Sequence, residues 1–286
     1  MKTAFLKFTS TIFIFCFTAT SIAQDFQGRA YYMSKTTMDL DQFGGRDASP
    51  ERKKQIEERM KSFLEKEYVL TFNKEESIYK EEEVLEASSG GGRGFGGFAS
   101  SFTGGPKYKN VKTKELLQDQ EFFGKQFLIK DDLKDLKWTM GGETKQIGNY
   151  TVFKATAVKP LTGVDFSNFR PSGRESNEKE EKEETENKEP KTVNVVAWYT
   201  MQIPINQGPD DYWGLPGLIL EVSAGNTIIL CNKVVMNPKD KENIDKPEKG
   251  EVVTQQEYTE ITSKKMEEFR DNRGRGRNGR GGGRGN

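Results

Sequence analysis

The segment that decides the fold runs from Ala197 to Val222 and reads A-W-Y-T-M-Q-I-P-I-N-Q-G-P-D-D-Y-W-G-L-P-G-L-I-L-E-V. Pro216 and Gly217 fit the two central positions of a type II turn, because proline presets φ at about −65° and glycine tolerates the positive φ that follows. The strand after the turn is apolar on both faces. We therefore predict a turn that begins a buried central strand, formed by Gly214, Leu215, Pro216, Gly217, Leu218 and Ile219.

Short segments of alternating or continuous apolar residues predict most of the remaining chain to be strand. The predicted strands are Phe26–Met33, Tyr68–Phe72, Gln126–Lys130, Glu143–Ile147, Tyr150–Val158, Val193–Ile203, Leu218–Ser223 and Thr227–Met236. Gly148-Asn149 and Ala224-Gly225-Asn226 have the composition of hairpin connections. Such short connections indicate antiparallel neighbours, because parallel neighbours need long crossovers.

Two segments predict helices that pack on this sheet. Ser49 and Pro50 suit an N-cap and a first helical position, and an apolar stripe follows at Ile56, Met60, Phe63 and Leu64. Thr254–Glu257 fits a capping box, with one face formed by Tyr258, Ile261 and Phe269. The predicted fold class is mainly β (α+β): a single large curved antiparallel sheet with one or two packed helices. Its half-barrel-like form is an analogy with bacterial lipoprotein carriers that implies no function.

The first 23 residues have the pattern of a secretory signal peptide. Lys2 and Lys7 form a basic start, Thr11–Phe17 is the core of an apolar run, and Ser21–Ala23 supplies small residues before a predicted cleavage at Gln24. The apolar run is shorter than the roughly 20 residues that span a bilayer. We therefore expect an exported protein without a transmembrane segment, in the periplasm or associated with the outer envelope.

The remaining chain predicts one β-rich domain, residues 24–269, with two insertions and a tail. Residues 88–105 are glycine-rich, residues 172–190 are dominated by glutamate, and residues 270–286 end in an Arg/Gly-rich stretch. None of the three can bury enough apolar surface to offset its ordering entropy, so we expect disorder there. For the tail, the alternatives to plain disorder are a weak contact with anionic surfaces and an intramolecular contact with the acidic insertion.

Composition restricts the chemistry. The chain has no histidine, which excludes Ser-His-Asp and Cys-His nucleophile systems and the H-E-x-x-H zinc site. Basic and acidic residues balance at 44 each, so no global field favours nucleic acid, and we expect no nucleic-acid partner. Cleavage of the signal would leave Cys231 as the only thiol, in an apolar run where we expect it buried and inert. No cofactor and no metal are predicted.

The aromatic pair Tyr212-Trp213 beside the turn has two interpretations. Paired aromatics next to glycines are common in cores, which favours a structural role. Alternatively, both rings stand exposed and form a platform for a ligand or partner. The nearby carboxylates of Asp210, Asp211 and Glu221 lack a calcium-loop pattern, so we expect them to cap the loop and to be solvated.

The block Ala197–Val222, together with K-W-T-M-G-G-E-T-K-Q-I-G-N-Y-T-V-F-K-A-T-A-V at Lys137–Val158, resembles the GLPGLI family. That family consists of exported proteins found mainly in Bacteroidetes-type bacteria. The resemblance covers roughly the second half of the domain and implies no established biochemical activity. Within it, Trp198 and Lys145 join Tyr212 and Trp213 as candidate ligand- or partner-binding residues.

These observations favour an exported, non-enzymatic envelope protein that binds a partner or ligand. By the same resemblance, some relatives are encoded near outer-membrane receptors, which suggests an accessory role in uptake or assembly. The first alternative is a carrier that holds a lipid or another hydrophobic ligand in the concave face of the half-barrel. The second is an enzyme that uses carboxylates or lysine. An exposed Tyr212-Trp213 pair would support the binding protein, and an apolar cavity would support the carrier. Two buried carboxylates in one cleft would support the enzyme.

Overall fold

The computed structural model describes residues 26–37, 49–82, 104–160 and 192–278. The predicted signal peptide, the acidic insertion and residues 88–103 of the glycine-rich insertion lie outside these ranges. The last two residues of the glycine-rich segment are described, and the Gly105 N–H donates to the Asp119 carbonyl at 2.9 Å. None of the described helices has the length and apolar character needed to cross a bilayer.

The described residues form one twelve-stranded sheet and two helices, which confirms the predicted mainly β (α+β) class. The strands are β1 (Gly28–Thr36), β2 (Glu65–Phe72), β3 (Glu76–Glu81), β4 (Lys107–Asn110), β5 (Glu115–Phe122), β6 (Lys125–Asp132), β7 (Thr139–Ile147), β8 (Tyr150–Pro160), β9 (Thr192–Thr200), β10 (Leu218–Ala224), β11 (Thr227–Met236) and β12 (Glu251–Val253). The helices are α1 (Pro50–Leu64) and α2 (Gln255–Asn278). The order across the sheet is β12-β6-β5-β4-β3-β2-β1-β11-β10-β9-β8-β7. Every neighbouring pair is antiparallel except β12 and β6, which are parallel.

Chain connectivity forces this sheet to curl. β6 lies next to one edge and β7 forms the other edge, yet only the linker Leu133–Trp138 separates them in the chain. A fully extended linker of that length spans roughly 25 Å. In a flat sheet the same two strands would lie roughly 48 Å apart, at about 4.8 Å per strand step. The two ends of the sheet therefore approach each other, which gives the sheet an inner and an outer face.

The β9–β10 loop, Met201–Gly217, lies on the inner face and packs against β1, β2 and β8 to β11. Its side chains Ile203, Ile205, Tyr212 and Leu215 belong to the main hydrophobic core. They pack there with inner-face residues of the sheet that include Ala30, Tyr32, Leu70, Phe72, Val195, Ala197, Tyr199, Val222, Ile229 and Cys231. The core is therefore formed between the sheet and its own loop. The concave face, where the carrier hypothesis places its ligand, is occupied by this loop.

Two other segments cover the part of the sheet that the loop does not reach. α2 packs on the inner face, where Tyr258 meets Phe122 and Phe127. The segment Asn237–Gly250 crosses the outer face on its way from β11 to β12, and Ile244 packs there against a small cluster formed by Tyr108, Leu117 and Leu128. The outer face of β8 to β11 has no comparable covering element among the described residues.

Both predicted helix starts are confirmed. The Ser49 hydroxyl accepts from the Arg52 N–H at 3.3 Å with Pro50 following, as expected of an N-cap. Before α2, the Glu257 carboxylate accepts from the Thr254 N–H at 2.7 Å, and the Thr254 hydroxyl accepts from the Glu257 N–H at 3.2 Å. This reciprocal pair is the predicted capping box.

The predicted buried face of α2 needs correction. Ile261 is exposed, whereas Thr262 is fully buried and Met266 packs beside Tyr258. The buried stripe therefore follows an i, i+4, i+8 spacing, which keeps side chains on one side of a helix. α2 also continues to Asn278, past the predicted start of a disordered tail at residue 270. Once a helix is nucleated, each added residue gains a hydrogen bond, so polar residues can extend it.

Strands β3, β4, β5 and β12 were not among the strands predicted from the sequence. β4 reads K-Y-K-N and β5 reads E-L-L-Q-D-Q-E-F, so neither has the alternation of apolar residues that predicts a strand. β4 pairs with β3 and β5, and these two strands pair in turn with β2 and β6, whose apolar patterns are clear. Strand β9 also ends at Thr200 rather than at the predicted Ile203, because the chain leaves the sheet there to enter the loop.

The predicted type II turn at Pro216-Gly217 is wrong. The positive φ in this region falls at Gly214 (+90°), whereas Gly217 has no positive φ. Gly217 is required for another reason: a Cβ added there would lie 2.0 Å from the Thr200 carbonyl oxygen. The start of β10 therefore passes so close to the end of β9 that no side chain fits between them.

Replacing Gly217 by alanine should destabilise the protein by about 3 kcal/mol, because backbone must move to admit the methyl group. Urea unfolding measures this change. Gly142→Ala is the matched control, since its Cβ would meet nothing within 4 Å and its φ is not positive. Equal stability of the two variants would contradict the close approach.

Candidate binding site

Trp213 attaches the β9–β10 loop to the linker that closes the curl. Its indole N–H donates to the Lys134 carbonyl at 3.0 Å, and its own carbonyl accepts from the Trp138 indole at 2.8 Å. The Lys114 ammonium, at the turn after β4, lies 3.5 Å from the Trp213 ring centroid. Linker, turn and loop therefore meet at one side chain.

The structure supports the structural interpretation of Tyr212 and Trp213 and contradicts the alternative in which both rings stand exposed as a platform. Tyr212 is 6% exposed and Trp213 is 4% exposed. Both rings bury large apolar areas, and the indole N–H of Trp213 finds a carbonyl partner, which removes the cost of burying it. The aromatic pair beside the turn is part of the core.

A cluster of three lysines and two aspartates joins the loop to β4 and β8. We call Lys107, Lys109, Lys159, Asp210 and Asp211 the lysine–aspartate cluster. Lys107 pairs with Asp210, and the Lys159 ammonium lies 2.6 Å from both carboxylate oxygens of Asp211. These four side chains are only 17% to 34% exposed, so the expectation that the aspartates are solvated loop caps is also wrong.

Lys109 is the least expected member of the cluster, because its side chain is completely buried. Its ammonium donates to the Gly208 carbonyl at 2.6 Å and to the Tyr212 carbonyl at 3.2 Å. Burial lowers the pKa of Lys109 to about 7, although the charges of Asp210 and Asp211 oppose this shift. The sequence offered one usable signal, the i, i+2 lysines of K-Y-K-N, which would share a face if that segment were a strand.

The structure brings together the other two predicted site residues, Trp198 and Lys145. The Lys145 ammonium lies 4.3 Å from the Trp198 ring centroid and 2.6 Å from the Glu221 carboxylate. Lys154 lies on the other flank, 6.0 Å from the same ring, and pairs with Glu143. Trp198 is thus held between two cations on the outer face, away from the buried pair Tyr212-Trp213.

Trp198 lies in a row of side chains that crosses the outer face. The strand registers place Lys154, Trp198, Glu221, Leu230 and Met33 side by side on β8, β9, β10, β11 and β1. Four large apolar side chains on this face are exposed: Met33 (43%), Val158 (59%), Ile228 (50%) and Leu230 (40%). We call these four residues and Trp198 the outer patch.

Known proteins give limited information. Residues 138–221 match a family described as "Protein of unknown function (Porph_ging)", and the match contains Lys145, Trp198 and the whole turn. The description does not carry the GLPGLI name, which stays a prediction. No curated protein matches the chain.

Two solved structures of PNGF-II, in space groups C2 and P21, are similar to this chain at a TM-score of 0.46 and 13% identity. The alignments cover 82% of this chain and 32% and 33% of those chains, so this chain spans about a third of their length. Similarity at this level is too weak to establish a shared fold.

Lys109 should make stability depend on pH. Its pKa falls from 10.5 to about 7 on folding, so between these values the unfolded chain binds the proton and the folded chain does not. The free energy of unfolding should therefore rise with pH from about 7 upward. Lys109→Met should lack this rise, so its stability relative to the natural protein should be highest below pH 7 and should fall as the pH rises above 7.

Urea unfolding at pH 6, 7, 8 and 9 measures the effect, below the range in which tyrosines ordinarily titrate. Lys112→Met is the control, because Lys112 is exposed and lies just beyond β4. Parallel pH profiles for the natural protein and Lys109→Met would show that Lys109 keeps an ordinary pKa.

Proposed function

We propose that this chain is an exported, non-enzymatic binding protein of the bacterial envelope and that a partner protein docks on the outer patch. The observation that carries the proposal is the exposure of Met33, Ile228 and Leu230 as neighbours on β1 and β11, on the same sheet face as Trp198. Neighbouring exposed apolar side chains on a folded protein indicate an interaction site. An accessory role in outer-membrane uptake or assembly is the specific form we favour.

The polar contacts of the outer patch support this role. Tryptophan and methionine are enriched at the centres of protein interfaces, where they bury large areas at low entropic cost. Lys145 and Glu221 fix one flank of the Trp198 ring, so a partner would meet an ordered aromatic surface. Ordering before binding reduces the entropy lost on association.

The alternatives receive less support. A carrier would hold its ligand against the inner face, and the β9–β10 loop occupies that surface. A lysine- or carboxylate-based enzyme would need a nucleophile or base that is not already held by other protein groups. The Lys109 ammonium donates to two backbone carbonyls, and Asp210 and Asp211 are each paired with a lysine.

Photo-crosslinking in a Bacteroidetes-type host tests the docking surface. A photoreactive residue at position 228 should give a discrete adduct with an envelope protein, and Leu230→Lys in the same chain should abolish the adduct. Leu230 is 40% exposed, so this change should leave the fold intact. The expected loss is at least tenfold in adduct yield, because the lysine would remove apolar contact area and its ammonium, even beside Glu221, would have to lose its hydration in the interface.

Position 252 is the matched control, since Val252 is a strand residue 64% exposed at the opposite edge of the sheet. A photoreactive residue there should give no such adduct. The proposal fails if both positions give the same adduct, or if the adduct survives Leu230→Lys in a correctly folded protein.

Export has its own test. Expression of the full chain, followed by cell fractionation, should place the protein in the envelope with Gln24 as its first residue. Mass spectrometry of the intact protein measures the cleavage site. A chain that stays in the cytoplasm with residues 1–23 attached would contradict both the signal prediction and the proposed location.

A further inference from the structure

Two buried hydrogen-bond donors lie beside the lysine–aspartate cluster without a partner among the described residues. They are the Tyr79 hydroxyl and the Gln207 amide nitrogen Nε2. Tyr79 is 5% exposed and Gln207 is fully buried. An unpaired buried polar group costs about 1–3 kcal/mol, so two together call for an explanation.

The strand register places both donors next to Lys109. On β3 and β4, Ser77 lies opposite Lys109 and Tyr79 lies opposite Lys107. The Ser77 hydroxyl donates to the Gln207 side-chain oxygen at 2.8 Å, which fixes the amide plane. The carbonyl of Gly208, the next loop residue, accepts from Lys109. Tyr79, Gln207 and Lys109 therefore belong to one small region under the loop.

The charges of this region do not balance. The two aspartates each pair with one lysine, Lys107 or Lys159, which leaves Lys109 with no carboxylate in contact. A protonated Lys109 has three N–H groups, and two carbonyls accept two of them. One positive charge and three donors are thus left uncompensated in the region.

We propose that Tyr79 Oη, Gln207 Nε2 and Lys109 Nζ form a binding site for a small oxyanion, such as a carboxylate or phosphate group. An oxyanion is an acceptor without donors, so it matches three donors and supplies the missing negative charge. A metal cation would face the same donors and is excluded. The other four side chains of the lysine–aspartate cluster are 17% to 34% exposed, so the cluster reaches solvent at these residues. The site is independent of the outer patch.

Anion binding should be coupled to proton uptake by Lys109. Charged and titratable groups face the site from every element packed on it: Tyr79 from β3, Lys107 from β4, Lys159 from β8, and Asp210, Asp211 and Tyr212 from the loop. Of these, Lys109 is the one whose pKa, about 7, lies in the neutral range. A bound anion would favour its charged form, so affinity should fall as pH rises above 7.

Backbone amide NMR of the full-length chain, titrated with sodium acetate or inorganic phosphate at constant ionic strength, tests the site. The amides of Tyr79, Gln207 and Lys109 should shift in a saturable way. Acetate stays ionised from pH 6 to pH 8.5, so any change in its affinity over that range reports on the protein. We expect acetate to bind at least about tenfold more weakly at pH 8.5, as for a linked pKa near 7.

The Tyr79→Phe variant tests whether the Tyr79 hydroxyl binds an anion or only contributes to the stability of the fold. It should weaken anion binding about tenfold, the loss typical of a hydrogen bond to a charged group. Without anion it should not lower stability, because the hydroxyl has no partner within the described protein. Tyr31→Phe is the control, since Tyr31 lies on the outer face of β1 and stacks with Lys233.

Saturable shifts with either anion that Tyr79→Phe weakens support the site, and the better anion identifies its natural ligand group. No shift with either anion would overturn the proposal and leave water as the partner of the two donors. Equal affinity in Tyr79→Phe and the natural protein would overturn it as well.

Discussion

The position of Trp213 is the constraint on which the rest of this structure depends. The linker Leu133–Trp138 closes the sheet on itself, and Trp213 holds that linker from within through two hydrogen bonds. The same side chain fixes the β9–β10 loop on the inner face, where the loop contributes Ile203, Ile205, Tyr212 and Leu215 to the core that a second layer would otherwise provide. Curl and core are therefore established by one segment of the chain.

This arrangement explains why charged groups lie so deep in the protein. The β9–β10 loop reaches across the inner face to β4, and its backbone carbonyls at Gly208 and Tyr212 lie there without strand partners. Lys109 donates a hydrogen bond to both carbonyls. Two unpaired buried carbonyls are thereby avoided, at the free-energy cost of burying one amine. Lys107 and Lys159 then anchor the adjacent aspartates from opposite sides of the curl.

Local patterns predicted the parts of the fold that depend on near neighbours in sequence. The hairpin turns at Gly148-Asn149 and Gly225-Asn226 and the two helix starts belong to this group, because their residues act on their own backbone. The burial of Trp213 and the existence of β4 depend on contacts between distant segments. Neither composition nor periodicity reports such contacts, so the sequence left two interpretations of the aromatic pair open and gave no indication that Lys109 is buried.

Individual residues of the turn segment have distinct structural roles. Gly214 adopts a positive φ, Leu215 fills the core, and Gly217 admits the close approach of the Thr200 carbonyl. Leu218–Leu220 is fully enclosed, and only Gly214 and Pro216 are exposed within this stretch. Nearly every side chain there serves backbone geometry or packing, which is why the motif predicts the fold well and specifies no chemistry. Function has to be sought where the same strands carry groups that packing does not require, on the outer face around Trp198 and beneath the loop at Lys109.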